Sequence, residues 1–561
     1  MEQGTVIPGS AWRGRRASLF ARLWLAGMAG LAVLSGGCNA TGPQEWIQNG
    51  FKVGPNYSEP PAPVAEKWID TDTAHVQNRY LQEWWRVFED STLDRLIDTA
   101  YANNPNLRVL AARVLEARAQ RAIAMGSLFP QMQQATGQYS RIDLSRNTFN
   151  NPAVLQALFP GPLPPGTMFG NFYSDWTAGF NLSWELDFWG RLRRNLESAD
   201  ARVDASVDSL DDGLVTLLAD VATAYVQYRV AQQRIRIARD NVLIQDATRA
   251  LVEKQVRVGV GKVTVVDLDQ AKTVLEATRA TIPALQIVQG QANDQLCILL
   301  GIPPRNLEPE LGPGPEPGKK PMPDKLDWVA AGIPADLLRR RPDIRAAERQ
   351  VAAQNAQIGV AMADFYPVIA INGTLGYEAA DLSQLFESRS FFGNITPAFR
   401  WNILNYGRIQ NNVRLQQART QELVAAYQSQ VLAAAREAQT ALRGFHQSQE
   451  QAERLAAAVR AATAGTKLGV RQYGTGTIIF NVVFQLETAQ VQQQDQLAVA
   501  QGTVALNLIS AYRALGGGWE IRCRTGQQQQ PGEAGTDVAK DVERRTAPAA
   551  GPPEKIPPPP N

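Results

Sequence analysis

The sequence predicts an α+β chain in which four two-faced strands, paired as two hairpins, are joined to very long coiled-coil helices. Three observations carry this prediction. Apolar and polar residues alternate strictly over a short stretch; a seven-residue apolar spacing is sustained through long segments with almost no helix breaker; and matching segments recur in the same order in both halves.

The alternation is clearest in WTAGFNLSWELDFWG, Trp176 to Gly190. Trp176, Ala178, Phe180, Leu182, Trp184 and Leu186 are apolar, and the residues between them are polar or small. A period of two puts the first set on one face of a strand and the second set on the other. In the second half Ile369, Ile371, Leu375 and Tyr377 share a face going out, and Ile395, Pro397, Phe399, Trp401 and Ile403 share a face coming back. The outgoing strand of the first half, QMQQATGQYS, is polar and shows the pattern least. The hairpins are placed at 129–187 and 366–404, with Pro-, Gly- and Ser-containing stretches between the strands as exposed loops.

The long helices carry heptads. Val203, Val207, Leu210, Leu214, Leu217, Val221, Ala224 and Tyr228 are spaced alternately by four and three, as are Val424, Tyr427, Val431, Ala434, Ala438, Ala441 and Phe445. Such spacing favours left-handed coiled-coil packing, and alanine allows the helices to approach closely.

Repetition sets the architecture. Pro105–Pro130 aligns without a gap with Pro342–Pro367, pairing Arg108 with Arg345 and Met125 with Met362. WELDFWGR (Trp184–Arg191) matches WNILNYGR (Trp401–Arg408). GVGKV from Gly259 matches GTGTI from Gly474, and Leu300-Gly301 matches Leu515-Gly516. Each half reads helix, strand, loop, strand, very long helix, tight turn, helix. The short helix and the returning helix laid end to end equal the long one, about 100 Å at about 1.5 Å per residue.

Composition narrows the function. Among 561 residues, 56 Lys and Arg nearly balance 54 Asp and Glu, so no global field attracts nucleic acid. His75 and His446 lie far apart, and the carboxylate pair Asp211-Asp212 has neither a histidine nor a phosphate cradle beside it. No enzyme, metal site or cofactor is expected. Cys297 falls in a helical pattern as a small packing residue, with a bond to Cys523 as the alternative. Residues 1–37 read as a signal peptide: Arg13, Arg15, Arg16 and Arg22, then the apolar run Leu23–Leu34, then Ser35-Gly36-Gly37 before Cys38. Small residues ahead of a cysteine resemble the bacterial lipoprotein cleavage box, which makes Cys38 the acylated residue; Ser35 stands where that box usually has leucine. An ordinary signal peptide beside an incidental cysteine is the alternative. Asn39 supplies no aspartate-type retention signal, so the outer membrane is the expected destination.

No other segment has the roughly 18 continuous apolar residues of a membrane helix. Strands must therefore do any crossing. Four strands cannot close a barrel, and lipid offers an open edge no hydrogen bonds. Three copies would pool about twelve strands, within the known range of membrane barrels. In that arrangement the apolar face, with Trp176, Phe180, Leu182, Trp184, Phe399 and Trp401, meets outer-membrane lipid, and the polar face lines a lumen.

At this point the residues resemble a known family. Val53-Gly54-Pro55-Asn56-Tyr57, Trp84-Trp85 with Phe88-Glu89-Asp90, Asn104-Pro105, Ser183–Arg193, Arg340–Glu348 and Ala514–Trp519 together are similar to the outer membrane factor family. They fit the TolC-like outer membrane efflux lipoproteins of the OprM/NodT branch, over roughly Cys38 to Trp519. The resemblance implies an α+β membrane channel: a homotrimeric 12-stranded β-barrel continued by a long α-helical coiled-coil periplasmic tunnel with a mixed equatorial region. It divides the chain into a lipidated N-terminal segment (38–92), a first repeat (93–301), an equatorial connection (302–341), a second repeat (342–518) and a disordered Pro/Gln-rich tail (519–561). It also implies a periplasmic membrane-fusion adaptor and an inner-membrane pump of the resistance–nodulation–division (RND) type as partners, with a type I protein secretion outlet as the alternative reading.

Two sets of functional positions follow from the resemblance. The turns at Gly259, Gly261, Gly474 and Gly476 form the adaptor-contact tips. The periplasmic aperture, which in the family carries an aspartate ring, falls in IIFNVVFQLET (Ile478–Thr488), where Val483 or Gln485 takes the gate position. Neither is acidic. Phe480, Val483 and Phe484 are expected to make an apolar closure that gates by dewetting, the alternative being a coiled-coil core.

Overall fold

Pro43–Gln48 is a short helix, α1. Helices α2 (Ser91–Asn103) and α3 (Pro105–Gly126) follow, and then strands β1 (Met132–Asp143) and β2 (Phe172–Leu186). Helices α4 (Arg191–Val258), α5 (Val265–Leu299) and α6 (Glu308–Leu311) complete the first half. The second half comprises α7 (Pro342–Ala363), β3 (Val368–Ala379), β4 (Phe391–Arg400), α8 (Arg408–Gly474), α9 (Phe480–Ala514) and α10 (Ile521–Arg524). The structure, a computed structural model, describes residues 42–66, 68–69, 81–143, 172–259, 263–312, 335 and 339–524. Cys38 and Gly261 lie outside the described residues, as do the signal peptide and most of the expected equatorial connection.

The repeat is visible as matched lengths. Helices α3 and α7 both have 22 residues, α5 and α9 both have 35, and α4 and α8 have 68 and 67. Among the described residues no helix is long and apolar enough to cross a membrane.

The chain divides into two compact units. The first takes residues 1–58, 121–199 and 352–421, and holds the strands. They form one antiparallel sheet in the order β1-β2-β3-β4. Its register pairs Trp176 with Tyr139 and Ala379, Phe180 with Ala135 and Leu375, and Trp184 with Ile371. Ile371 in turn pairs with Pro397, and Ile369 with Phe399. The polar outgoing strand of the first half is therefore a full member of the sheet. Strand β4 stops at Arg400, short of the expected Trp401 and Ile403. Leu385, in the β3–β4 connection expected to be an exposed loop, is buried, at the end of a 3-10 turn.

The second unit takes residues 59–120, 200–351 and 422–561. Its core follows the heptads: Leu210, Leu214, Leu217, Val221, Ala224 and Tyr228 on α4, and Tyr427, Val431, Ala434, Ala438 and Phe445 on α8, are all buried. Trp84 stacks on Tyr512 with ring centroids 5.5 Å apart. Asn104 caps α3 by accepting from the Leu107 N–H, and donates to the Leu299 carbonyl at the end of α5. Cys297 and Cys523 are free thiols, so the alternative disulfide does not form. Residues 519–524, expected within the disordered tail, are instead ordered. Trp519 lies under the Arg345 guanidinium at 4.6 Å, and Arg522 reaches Asp211.

Candidate functional site

The sheet separates its side chains by chemistry. One face carries Trp176, Phe180, Leu182 and Trp184, with Ile369, Ile371 and Leu375 of β3 and Ile395, Pro397 and Phe399 of β4 at the same level through the register. Phe180 and Phe399 are 43% and 75% exposed in the single chain, an apolar surface that water would penalise. The other face is hydrogen-bonded across the strands: Ser183 donates to Asn372 at 2.8 Å, and Asn181 to Thr136 at 3.2 Å. At mid-sheet Gly179 and Gly376 are register partners. A Cβ on Gly376 would lie 2.7 Å from the Ala178 oxygen and 2.8 Å from the Gly179 Cα, so the backbones meet where only glycine fits. Among the described residues the outer edges of β1 and β4 pair with no further strand.

Aromatic and charged groups gather at the helix-proximal end of the sheet. The indoles of Trp184, Trp189 and Trp401 donate to the carbonyls of Leu128, Pro367 and Phe365. Trp401 thus follows β4 as a tether and is not one of its strand residues. Trp46 packs against Phe51, Phe188 and Trp189 at centroid distances of 4.8, 5.1 and 5.5 Å. Asp187 caps α4 by accepting from the Leu192 and Arg193 N–H groups. Arg193 binds the carbonyls of Gly50 and Phe51, and Arg194 those of Val53 and Gly54. The motif WELDFWGRLRR therefore ends a strand, starts a helix and clamps the N-terminal segment to both.

At the turn after α8, Gly476 has φ +75°. Its N–H bonds the Tyr473 carbonyl and the Thr477 N–H bonds the Gln472 carbonyl, both at 2.9 Å. This is the left-handed C-terminal cap that glycine favours. Gly259, at φ +67°, plays the corresponding part after α4. Gly474 is still helical with open space beside its Cα, so the structural partner of Gly259 is Gly476, against the sequence pairing with Gly474.

The aperture segment divides in two. Phe480 and Val483, at 2% and 0% exposure, are buried with Val252, Ala271 and Tyr473, and Tyr473 meets Phe480 edge to face at 5.6 Å. Both side chains are thus taken up in the packing of the helices around this turn. Phe484 is only partly buried against that cluster, and Gln485 is exposed.

A polar seam that the heptad reading missed joins α4 to α9. Thr248 donates to Glu487 at 2.7 Å, Asn241 to Gln494 at 2.8 Å, and Gln233 to Gln501 at 3.2 Å. Arg234 makes a two-pronged pair with Asp495 at 2.7 and 2.9 Å. On α9 the rungs at 487, 494 and 501 are one heptad apart, and their partners on α4, at 248, 241 and 233, step by seven and eight. The signal was present as a polar period of seven beside the apolar one. Burial raises the Glu487 carboxyl above the ordinary range despite the Thr248 bond.

A second charged cluster joins α4, α7 and α10. Asp211, with its side chain 1% exposed, takes Arg345 at 3.2 Å and Arg522 at 2.9 Å. Burial outweighs the two guanidiniums and pushes its carboxyl up to about 6. Among the described residues no group of His, Cys, Asp and Glu is arranged to hold a metal ion.

A two-faced sheet with open edges, joined to paired coiled-coil helices, is the fold of an outer-membrane channel chain. The family model "Outer membrane efflux protein" matches residues 96–302 and 333–517, and the chain belongs to that family. Its members are outer-membrane channel proteins, not enzymes. Among curated relatives, the pyoverdine export outer membrane protein OpmQ of Pseudomonas putida is 30% identical over 81% of this chain and 92% of its own length. Outer membrane protein OprJ of Pseudomonas aeruginosa is 29% identical over 83% of this chain and 93% of its own. The cation efflux protein CusC of Escherichia coli K12 is 28% identical over 84% and 96%. The solved outer-membrane channel OprN superposes with a TM-score of 0.73 at 32% identity, covering 83% of this chain and 99% of that one. A solved CusC structure gives 0.70 at 27%, covering 83% and 100%.

Proposed function

We propose that this chain is the exit duct of a tripartite efflux system, a passive path for small toxic molecules across the outer membrane. The observation that carries the reading is the four-stranded sheet, with one apolar face, one hydrogen-bonded polar face and, among the described residues, two unpaired edges. Such a sheet is stable in lipid only when copies close its edges, and three copies give the twelve strands of the proposed homotrimer. The apolar face then meets lipid, the polar face lines water, and the helices extend the bore into the periplasm. Cleavage after residue 37 and acylation of Cys38 would anchor segment 38–92 beside the barrel; the clamp of Arg193 and Arg194 on residues 50–54 supports this placement. The repeats 93–301 and 342–518 would flank the connection 302–341. The turns at Gly259, Gly261, Gly474 and Gly476 would meet a membrane-fusion adaptor fed by an RND-type pump. Phe484 and Gln485 are the aperture positions left accessible by the burial of Phe480 and Val483.

Native mass spectrometry of the detergent-purified protein, with conductance in planar bilayers, tests the assembly. A trimer that conducts is expected; a monomer without conductance would overturn the reading. Dye accumulation in a host lacking its own outlet tests the cargo, and expression with a matching adaptor and pump should lower it.

A further inference from the structure

A cleft opens among the helices of the second unit, and Phe484 of the proposed aperture is one of its walls. It measures about 590 Å³ and lies between residues 234–245 of α4, 273–285 of α5 and 484–495 of α9. That volume falls in the range of small-molecule sites.

Its lining is more apolar than its sequence. Four threonines border it, yet each hydroxyl proton is committed to its own helix: Thr273 donates to Asp269, Thr278 to Val274, Thr281 to Thr278 and Thr488 to Phe484. They share the wall with Ile237, Val274, Leu285, Phe484 and Val491. The charges are matched, since Asp495 holds Arg234 by two bonds, and Asn241 is bound to Gln494. One group stands apart. Gln245 is 2% exposed, lines the cavity, and has no hydrogen-bond partner for either its amide nitrogen or its amide oxygen. A buried amide left in that state is costly. The other lining amide, Gln492, is exposed at the mouth, so Gln245 is the buried amide of this lining without a partner.

We propose that the cavity is a binding site for a flat, uncharged molecule carrying an adjacent N–H and C=O, a lactam or carboxamide on an aromatic body. The ligand's N–H would meet the Gln245 oxygen and its carbonyl the Gln245 nitrogen, with the ring lying against Phe484, Val274 and Leu285. A charged ligand is disfavoured because no unmatched counter-charge lines the site. The occupant touches α4, α5 and α9 together, so it bridges the first-half helix pair to the second-half one. The site stands independently of the efflux reading.

Calorimetry on the full-length protein in detergent tests the proposal, with 2-quinolinone as the lactam probe and 2-methylnaphthalene as its apolar analogue. Saturable binding of 2-quinolinone is expected, weakened about tenfold or more by Gln245→Leu, since two hydrogen bonds are lost. The same substitution should leave 2-methylnaphthalene binding undiminished, and the variant should melt no lower than the parent because it removes an unpaired amide. Thr278→Val should bind the lactam as the parent does. Failure of the assembled protein to bind 2-quinolinone, as when a neighbouring copy fills the space, would overturn the site. Equal lactam affinity in the Gln245→Leu protein would overturn the role given to the amide.

Discussion

The indole N–H of Trp401 donates to the carbonyl oxygen of Phe365 at 2.9 Å. Trp184, its counterpart in the first half, donates to Leu128, the counterpart of Phe365, at 3.2 Å. The duplication thus extends to a single hydrogen bond that ties the end of each returning strand to the helix that precedes its hairpin. Replacing either tryptophan by phenylalanine keeps the ring and removes the donor. A loss of about 1 kcal/mol is expected for Trp184→Phe, and less for Trp401→Phe, whose indole is 40% exposed. Thermal unfolding in detergent measures both, and the reverse order would contradict the assignment.

Gly474 and Gly476 separate two readings of the second tip. Gly476→Ala places a Cβ at φ +75° and should cost about 1 kcal/mol. Gly474→Ala sits in a helix with open space and should be neutral or stabilising by up to about 1 kcal/mol. Melting of the two variants side by side decides which glycine makes the reversal.

Glu487 is buried and its carboxyl is raised by that burial, so ionising it opposes folding while its oxygen serves Thr248. Glu487→Gln keeps an acceptor and removes the charge; stability at pH 7 should hold or rise. Glu487→Ala should cost about 1 kcal/mol, moderated because the Thr248 hydroxyl also reaches the Ile244 carbonyl. Urea titration of both proteins checks the sign.

Asp211 sets a pH dependence. Its carboxyl is raised from 3.8 to about 6, so the contribution of this group to stability is complete below about 4 and is lost as pH rises through about 6. The gap corresponds to about 3 kcal/mol at most. The stability difference between the parent and Asp211→Asn should therefore shift in favour of the parent as pH falls from 7 to 4. Melting curves across that range test it, and a difference independent of pH would refute it.

Much of this architecture was legible because it rests on periodicity and repetition. The alternation from Trp176 to Leu186 foretold a face, and the heptads of α4 and α8 foretold a core. Burial of Phe480 and Val483 was not resolved by spacing, since a lumen-facing and a core-facing apolar residue share one sequence signature until a neighbour such as Tyr473 is placed. The Gly259–Gly474 pairing misled because identity was matched where backbone conformation decides. Strand β1 was hard to read because the residues it sets beside Leu182, Phe180 and Ala178 are Gln133, Ala135 and Gly137, which carry little apolar surface. The Asp211 cluster draws on α4, α7 and α10, and no local pattern brings those together.

The polar seam bears on sliding between helices. Its three rungs other than Arg234–Asp495 recur every heptad on α9, about 10 Å along the axis. A slip of α9 by one such interval could set Thr248 opposite Gln494 and Asn241 opposite Gln501, each still facing a side chain that accepts a hydrogen bond. Arg234 and Asp495 have no such substitute, and their separation on slipping would strand a guanidinium and a carboxylate. A ruler of near-identical graduations thus carries one numbered mark, and two charges tell the chain where zero is.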